Sequence, residues 1–421
     1  MSVAWAAPHE RLRLKDAAIA LTMLAAAASF VISAMTLSAV GVAYDAPGGS
    51  FLDKLHPATY LCGLALIVTL AGKADPLGFV ASLPRRFPGA AFFVVNWALI
   101  VAYVGLFQHT PIMPLTDSFF CAVAMLILYE ELDPPAQLML RRLLHIIMLA
   151  NASLGVVEFL THTRLTPFVT GGKLITEDYR STALFGHPLL NAGTTGAYAL
   201  MLFLGADVRL GPALRFALIF VQIVALAPFG GRTSIVVTIA TLALGSLRVV
   251  ADVLRGRRFD MRIGMALAFG LPIAAAAIVG IVEAGFLDQL AERFTDDKGS
   301  AQARIVALQL FDAFSLEDLL LGPNPAHLAS LQSTLGIEYG IENGWLGLLF
   351  QYGALMSGLF VAGMAALLWE FWGRSKSHAS IIVVGFLIQL SSSASISVKS
   401  FVFNQFAILL LVVFDARAAR A

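Results

Sequence analysis

Apolar residues run through this chain in long uncharged blocks, separated by short clusters of charge, proline and glycine. A helix rises about 1.5 Å per residue, so blocks of about 17 to 25 residues match a hydrocarbon core about 30 Å thick. Each block must be helical, because lipid offers no partner for an open sheet edge. Cutting at the clusters predicts about twelve spans, near residues 17–40, 55–71, 90–107, 113–129, 143–160, 184–204, 213–229, 233–247, 263–283, 343–369, 380–396 and 402–414. The first follows Arg11, Arg13 and Lys15 and is long enough to be a retained anchor rather than a cleaved leader. The expected fold is all-α: one integral membrane domain over residues 1–421, a bundle of transmembrane helices.

Composition agrees. Of 421 residues, 58% are hydrophobic and 13% charged, and the mean hydropathy of +0.81 lies outside the soluble range. A net charge of +1 gives no footing for nucleic acid. Cys62 and Cys121 lie in separate apolar blocks without metal or disulfide spacing.

Lys and Arg accumulate in cytoplasmic loops. With both termini inside, the inner segments hold 19 of the 28 basic residues and the outer ones nine. Six of those nine fall in two long outer segments, 161–183 and 284–342: Arg164, Lys173, Arg180, Arg293, Lys298 and Arg304. Within the large outer loop, "AQARIVALQLFDAF" (301–314) spaces Ile305, Leu308 and Phe311–Phe314 by three to four residues, which predicts an amphipathic helix on the membrane surface or over a cavity. The "GPNP" that follows forces a turn.

Four charged groups stand at the outer mouths of apolar spans: Arg180, Arg232 in "PFGGRTS", Arg304 and Glu342 in "GIENGWLG". A guanidinium stays charged and presents a fork of donors that matches two phosphate oxygens. Snorkelling to headgroups explains any one such arginine, but less easily three on the disfavoured side. At the lipid edge Glu342 loses part of its hydration and becomes a stronger proton acceptor for a sugar hydroxyl; alternatively it complements the dipole at a helix start. His187 and His327 are further candidate bases, each equally open to a structural reading, and Asn191 and Asn343 flank the same entrances. Glu158 and Lys399 read as interfacial. No metal-ligand spacing and no nucleotide-binding loop is present, so neither metal nor cofactor is expected.

The order Arg180-x4-Phe185-Gly186-His187-Pro188-x2-Asn191, then "GGRTS", then Arg304 with "LLLGPNP", then Glu342-Asn343 and, after nine residues, Gly353, resembles the O-antigen ligase and Wzy-type polymerase superfamily over residues 180–358. The resemblance implies a GT-C-like bundle with a large periplasmic loop, in the bacterial inner membrane. It implies a metal-independent, inverting glycosyltransferase acting on the periplasmic face. The donor would be an undecaprenyl-diphosphate-linked oligosaccharide and the acceptor a second glycan, with a flippase and a chain-length regulator as pathway partners. Arg180, Arg232 and Arg304 would hold the diphosphate. Glu342 stands where the ligases carry a histidine, and Met356 also departs from the ligase form. The resemblance therefore favours a polymerase of O-antigen, capsule or exopolysaccharide repeats over a ligase. A transporter of lipid-linked glycans and a non-catalytic scaffold are the readings from other classes.

Overall fold

The computed structural model describes residues 8–45, 50–170, 173–176, 180–256, 300–337 and 340–416. The span expected at 263–283, with Arg293 and Lys298, lies outside them. The described chain is helical apart from a two-residue antiparallel pair, Val169–Thr170 with Lys173–Leu174.

The longer helices are α1 (Pro8–Val31), α3 (Pro57–Ala71), α5 (Pro88–Tyr103), α6 (Met113–Glu131), α7 (Pro134–Thr161), α8 (Pro188–Phe203), α9 (Pro212–Phe229), α10 (Arg232–Leu254), α15 (Gly344–Arg374), α16 (Ala379–Ser391) and α17 (Val402–Val413). Shorter pieces are α2 (Ala34–Ala39), α4 (Pro76–Arg86), α11 (Ser300–Leu308), α12 (Leu310–Ala313), α13 (Leu316–Leu321) and α14 (Pro325–Thr334). Among the described residues six helices are long and apolar enough to cross a membrane: α1, α5 with its following π turn, α6, α7, α9 and α15. The pair α3 and α4, bent by 119°, makes a seventh if counted as one span. This is a polytopic helical membrane protein.

Proline at the first helical position sets several starts, since its missing N–H costs nothing there and its φ is already helical. His56-Pro57, Asp75-Pro76, Asp133-Pro134, His187-Pro188 and Asn324-Pro325 each combine such a proline with a side chain that caps the new turn. This cap is why α7 begins at Pro134, ahead of its apolar core at 143. The expected span 17–40 is divided instead: α1 ends at Val31, and Ser33 caps α2 by accepting from the Thr36 N–H at 3.1 Å.

The helix ends gather into two sets. At one, Lys15 pairs with Asp133 at 3.0 Å, and Lys73 and Arg86 share Glu131. Deeper at this end Arg141, buried in α7, donates from Nε to the Val412 carbonyl at 2.8 Å and lies 4.0 Å from both Asp207 and Asp415. His145 joins Asp207 at 3.3 Å and the Tyr198 hydroxyl at 2.6 Å. These bonds fasten the ends of α7, α8 and α17. Helix α17 is buried on every side, so its apolar residues follow no period. Its two polar residues bind neighbours: Asn404 donates to the Asp117 carbonyl at 2.9 Å and Gln405 to the Ser29 carbonyl at 2.9 Å.

At the other end, α11–α14 fold onto α15 through Ala307, Leu310, Phe314, Leu328 and Phe350. The single amphipathic helix expected at 301–314 is two, divided at Gln309, and it turns a different face inward. Ile305, Leu308 and Phe311 are exposed, whereas Ala307, Leu310 and Phe314 are buried. The reason is tertiary: Ala307, Leu310 and Phe314 pack against Leu328 and Phe350, and that contact selects the buried face.

Helix α15 is broken at Gly353, whose φ of 75° and ψ of 166° only glycine adopts readily. A Cβ there would stand 2.3 Å from the Gly322 nitrogen and 2.5 Å from the Leu320 carbonyl oxygen. The "GPNP" turn therefore docks backbone against backbone. Gln108, in the π turn after α5, donates to the Gln351 carbonyl at 2.8 Å, satisfying a group the break leaves open. Gly353→Ala is expected to detach α13 and α14 from α15. Limited proteolysis should then cut between residues 314 and 325 at least about tenfold faster than in the parent, given a strain of about 1–3 kcal/mol before the clash is counted; unchanged cleavage would refute this docking.

Candidate functional site

Glu342 is followed by Asn343, the N-cap of α15, whose Oδ1 accepts from the Trp345 and Leu346 N–H groups at 3.1 Å each. Arg304 reaches across from α11 and sets its guanidinium 3.6 Å from the Glu342 carboxylate. The same nitrogen donates to the Ser392 carbonyl at the end of α16 at 3.3 Å. Both side chains are open to solvent, 39% for Arg304 and 44% for Glu342. Glu342 is thus an accessible carboxylate that is ion-paired to Arg304. The cause is tertiary, since α11 folds back over the start of α15 and supplies the counter-charge.

Arg180, in the loop before α8, and Arg232, at the start of α10, belong to segments joined through their backbones. The Ser181 N–H donates to the Pro228 carbonyl at 3.0 Å, which lays the Arg180 strand on the turn that opens α10 at Arg232. Gly231 admits Ala192 of α8 against it: a Cβ there would be 2.5 Å from the Ala192 Cβ. One helix further on, Gln389 of α16 fits opposite Gly193, its Oε1 3.2 Å from where a Cβ would be. The starts of α8, α10 and α15 and the end of α16 therefore meet at one end of the bundle. All three arginines and Glu342 belong to that end, in two groups joined through α8 and α16.

What holds Arg180 is a residue the sequence placed at the membrane interface. Glu158, buried near the end of α7, accepts from the backbone N–H groups of Leu165 at 2.7 Å and of Thr182 and Ala183 at 2.9 Å each. Arg164 closes the loop from outside, donating to the Arg180 carbonyl at 2.9 Å and the Ile175 carbonyl at 2.6 Å. Lys399 is likewise internal: its ammonium donates to the Tyr44 carbonyl at 2.9 Å and the Lys54 carbonyl at 2.7 Å and covers the Tyr44 ring. Asp117, which the sequence gave no reason to select, takes the hydroxyls of Tyr44 and Thr59 and the His56 N–H. A lone carboxylate inside an otherwise apolar block, at its fifth helical residue, would have been the signal.

The secondary candidates are mostly structural. Asn191 donates to the Thr182 and His187 carbonyls at 2.7 and 3.1 Å, shaping the turn before α8. His327 is exposed on α14, edge-on to Phe314 at 5.5 Å. His187 caps α8: its Nδ1 accepts from the Leu189 N–H at 3.2 Å, which requires that nitrogen to be unprotonated. Burial, with the Arg180 guanidinium adding to it, lowers the His187 pKa from 6.5 to about 4. Burial does the same to His56, the cap of α3, also to about 4. The unfolded chain binds protons between pH 6.5 and 4 that the fold refuses, so stability falls as pH drops through that window and levels off below it. Thermal midpoints taken from pH 7 to 4 should show this, and His187→Asn, which keeps a capping acceptor, should flatten the slope. An unchanged slope would contradict the cap.

Below the Arg304–Glu342 pair, α15 and α16 enclose an apolar cleft of about 320 Å³ that runs from Trp345 past Met364 and Leu387 to Trp372. Its upper end is next to the pair, since the Trp345 Nε1–H donates to Ser391 Oγ at 2.7 Å and Ser392 carries the Arg304 contact. Charge at the mouth and a dry cleft beneath it suit a ligand with a polar anionic head and a hydrocarbon tail. Compared with protein-family models, with curated proteins and with solved structures, the chain gives no match.

Proposed function

We propose that this chain is a membrane glycosyltransferase that joins undecaprenyl-diphosphate-linked oligosaccharide repeats into a surface polysaccharide. The observation that carries the reading is the Arg304–Glu342 pair, solvent-accessible and seated over an apolar cleft, at the same bundle end as Arg180 and Arg232. The reading takes the expected twelve spans, with both termini on the face rich in Lys and Arg. In this reading the site faces the periplasmic side of a bacterial inner membrane.

In this reading the polyprenyl chain lies along α15 and α16 while the diphosphate meets the arginines. At rest Glu342 occupies Arg304. A diphosphate carries more charge and takes the guanidinium, which frees the carboxylate beside the incoming sugar. The acceptor hydroxyl oxygen attacks the anomeric carbon from the face opposite the diphosphate, and its proton passes to Glu342. The bond from that carbon to the diphosphate breaks, and undecaprenyl diphosphate leaves with the electron pair, its growing charge offset by the arginines. The configuration inverts, without metal or cofactor. A flippase would deliver the donor and a chain-length regulator would set product size.

The ligase is the nearest alternative, separated by the acceptor used. A transporter would place its charges along a path through the bundle, but the buried ionic cluster at Arg141 spends its bonds on helix ends. The test is turnover by the purified full chain given a defined diphosphate-linked oligosaccharide. Polymer and free undecaprenyl diphosphate are expected; transport without product, or neither, would overturn the proposal. Glu342→Gln keeps shape but not basicity and should lower turnover by about 10²–10⁴-fold. Full activity would remove the carboxylate as base.

A further inference from the structure

Helix α13 belongs to the large loop, yet its outer side is apolar. Leu316 is 74% exposed, and Leu320, one turn on, and Leu321 are exposed with it. The inner side packs through Leu319 on the cluster of Leu310, Phe314 and Phe350. Of the helix's two acids, Asp318 accepts from the Ser315 hydroxyl at 2.6 Å in its own cap, while Glu317 stands exposed beside the leucines, as does Asp312 ahead of them.

This stripe continues onto α5. The Tyr103 hydroxyl, at the end of α5, donates to the Leu321 carbonyl, and the Tyr103 ring stacks on Phe107 at 5.4 Å. Leu106 and Phe107 are exposed, and so are Phe92, Val95 and Leu99 on α5 itself, at spacings of three and four. Helix α5 with its π turn is long and apolar enough to cross a membrane, so this face of it meets acyl chains. The same surface runs on through Leu106 and Phe107 to α13.

Helix α15 gives the depth. Trp369 and Trp372, exposed just before Arg374, mark one headgroup level, where indole rings gather. From Trp372 back to Gly353 the helix rises about 28 Å at about 1.5 Å per residue, and a hydrocarbon core is about 30 Å thick. Gly353 is where α13 docks, crowded by the Leu320 carbonyl oxygen and the Gly322 nitrogen. That contact sets α13 at the opposite hydrocarbon boundary.

We infer that α13 lies in the membrane surface at the arginine end of the bundle, with Leu316, Leu320 and Leu321 among the upper acyl chains and Glu317 toward the headgroups. Its partner is lipid: the stripe is continuous with a lipid-facing surface, and a protein partner would have to enter the bilayer to cover it. Burial of the leucines holds the helix there. The loop that carries Arg304 is thereby fixed to the height of the bilayer surface. The inference uses only the membrane class of the fold and none of the residues assigned to glycosyl transfer, so either can fail alone.

The test is fluorescence of a bimane dye on Leu316→Cys or Leu320→Cys in the full chain, reconstituted in phosphatidylcholine vesicles. Cys62 and Cys121 are buried, and the parent treated alike gives the background. Leu99→Cys, on the lipid-facing side of α5, sets the standard. With bromine carried on the acyl chains near their carbonyl end, the dye at either loop position should lose as much fluorescence as the dye on Leu99→Cys. No loss to brominated lipid at both loop positions overturns the inference. Iodide then gives the reason: quenching by it places α13 in water, and quenching by neither means that protein covers the stripe.

Discussion

Arg304→Ala should lower turnover of a diphosphate-linked oligosaccharide by at least about a hundredfold while the protein still inserts and folds. Removing one donor aimed at charge that grows in a transition state costs about 10²–10³ in rate. Here the lost group also holds Glu342 at 3.6 Å, so the carboxylate loses its resting position as well. Arg304→Lys restores the charge without the fork and should recover only part of the rate. Because one guanidinium serves phosphate and carboxylate, the double variant Arg304→Ala with Glu342→Gln should lose less than the two single losses multiplied. Initial rates of undecaprenyl diphosphate release from matched amounts of detergent-purified protein would decide it. Parent-level rates in Arg304→Ala would end the assignment of Arg304 to the diphosphate.

The largest effect on stability is expected from Arg141→Gln. Arg141 is buried within 4.0 Å of both Asp207 and Asp415, and its removal takes away the cation the two carboxylates share, leaving Lys376 and Arg215 as the neighbouring positive charges. Breaking a buried charge cluster by deleting one partner costs about 3–5 kcal/mol. The neighbouring Arg142 has the same charge but is exposed, so Arg142→Gln should shift stability by no more than about 0.5 kcal/mol. Reversible unfolding in mixed micelles gives the comparison. Equal midpoints for the two variants would show that the cluster holds no helix ends together.

Both predictions rest on residues whose importance was unequally visible in the sequence. Arg304 and Glu342 stood out as charges bordering apolar blocks, yet their pairing depends on α11 returning across 37 intervening positions. Arg141 read only as half of a basic doublet in an inner loop, because α7 was expected to start at 143. The Asp133-Pro134 cap extends that helix by two and a half turns and carries Arg141 inward. Glu158 and Lys399 were misplaced at the interface for a related reason: a charge near the end of an apolar block looks the same whether it faces headgroups or buried backbone donors. "GPNP" was legible as a turn, but Gly353 lay inside one expected span, 343–369, and neither its break nor its backbone-to-backbone contact was legible.

By itself the sequence determined that this is a multi-span helical membrane protein, and it showed which charges border its apolar blocks. Those properties are local: a helix in lipid satisfies its own backbone, so length and apolarity suffice to reveal it. The tertiary structure decided which of those charges meet. Arg304 found Glu342, Glu158 found the loop before α8, and Arg141 found two aspartates, through contacts between segments far apart in the chain. Such pairings are set by how helices cross and where their ends stop, and hydropathy records neither.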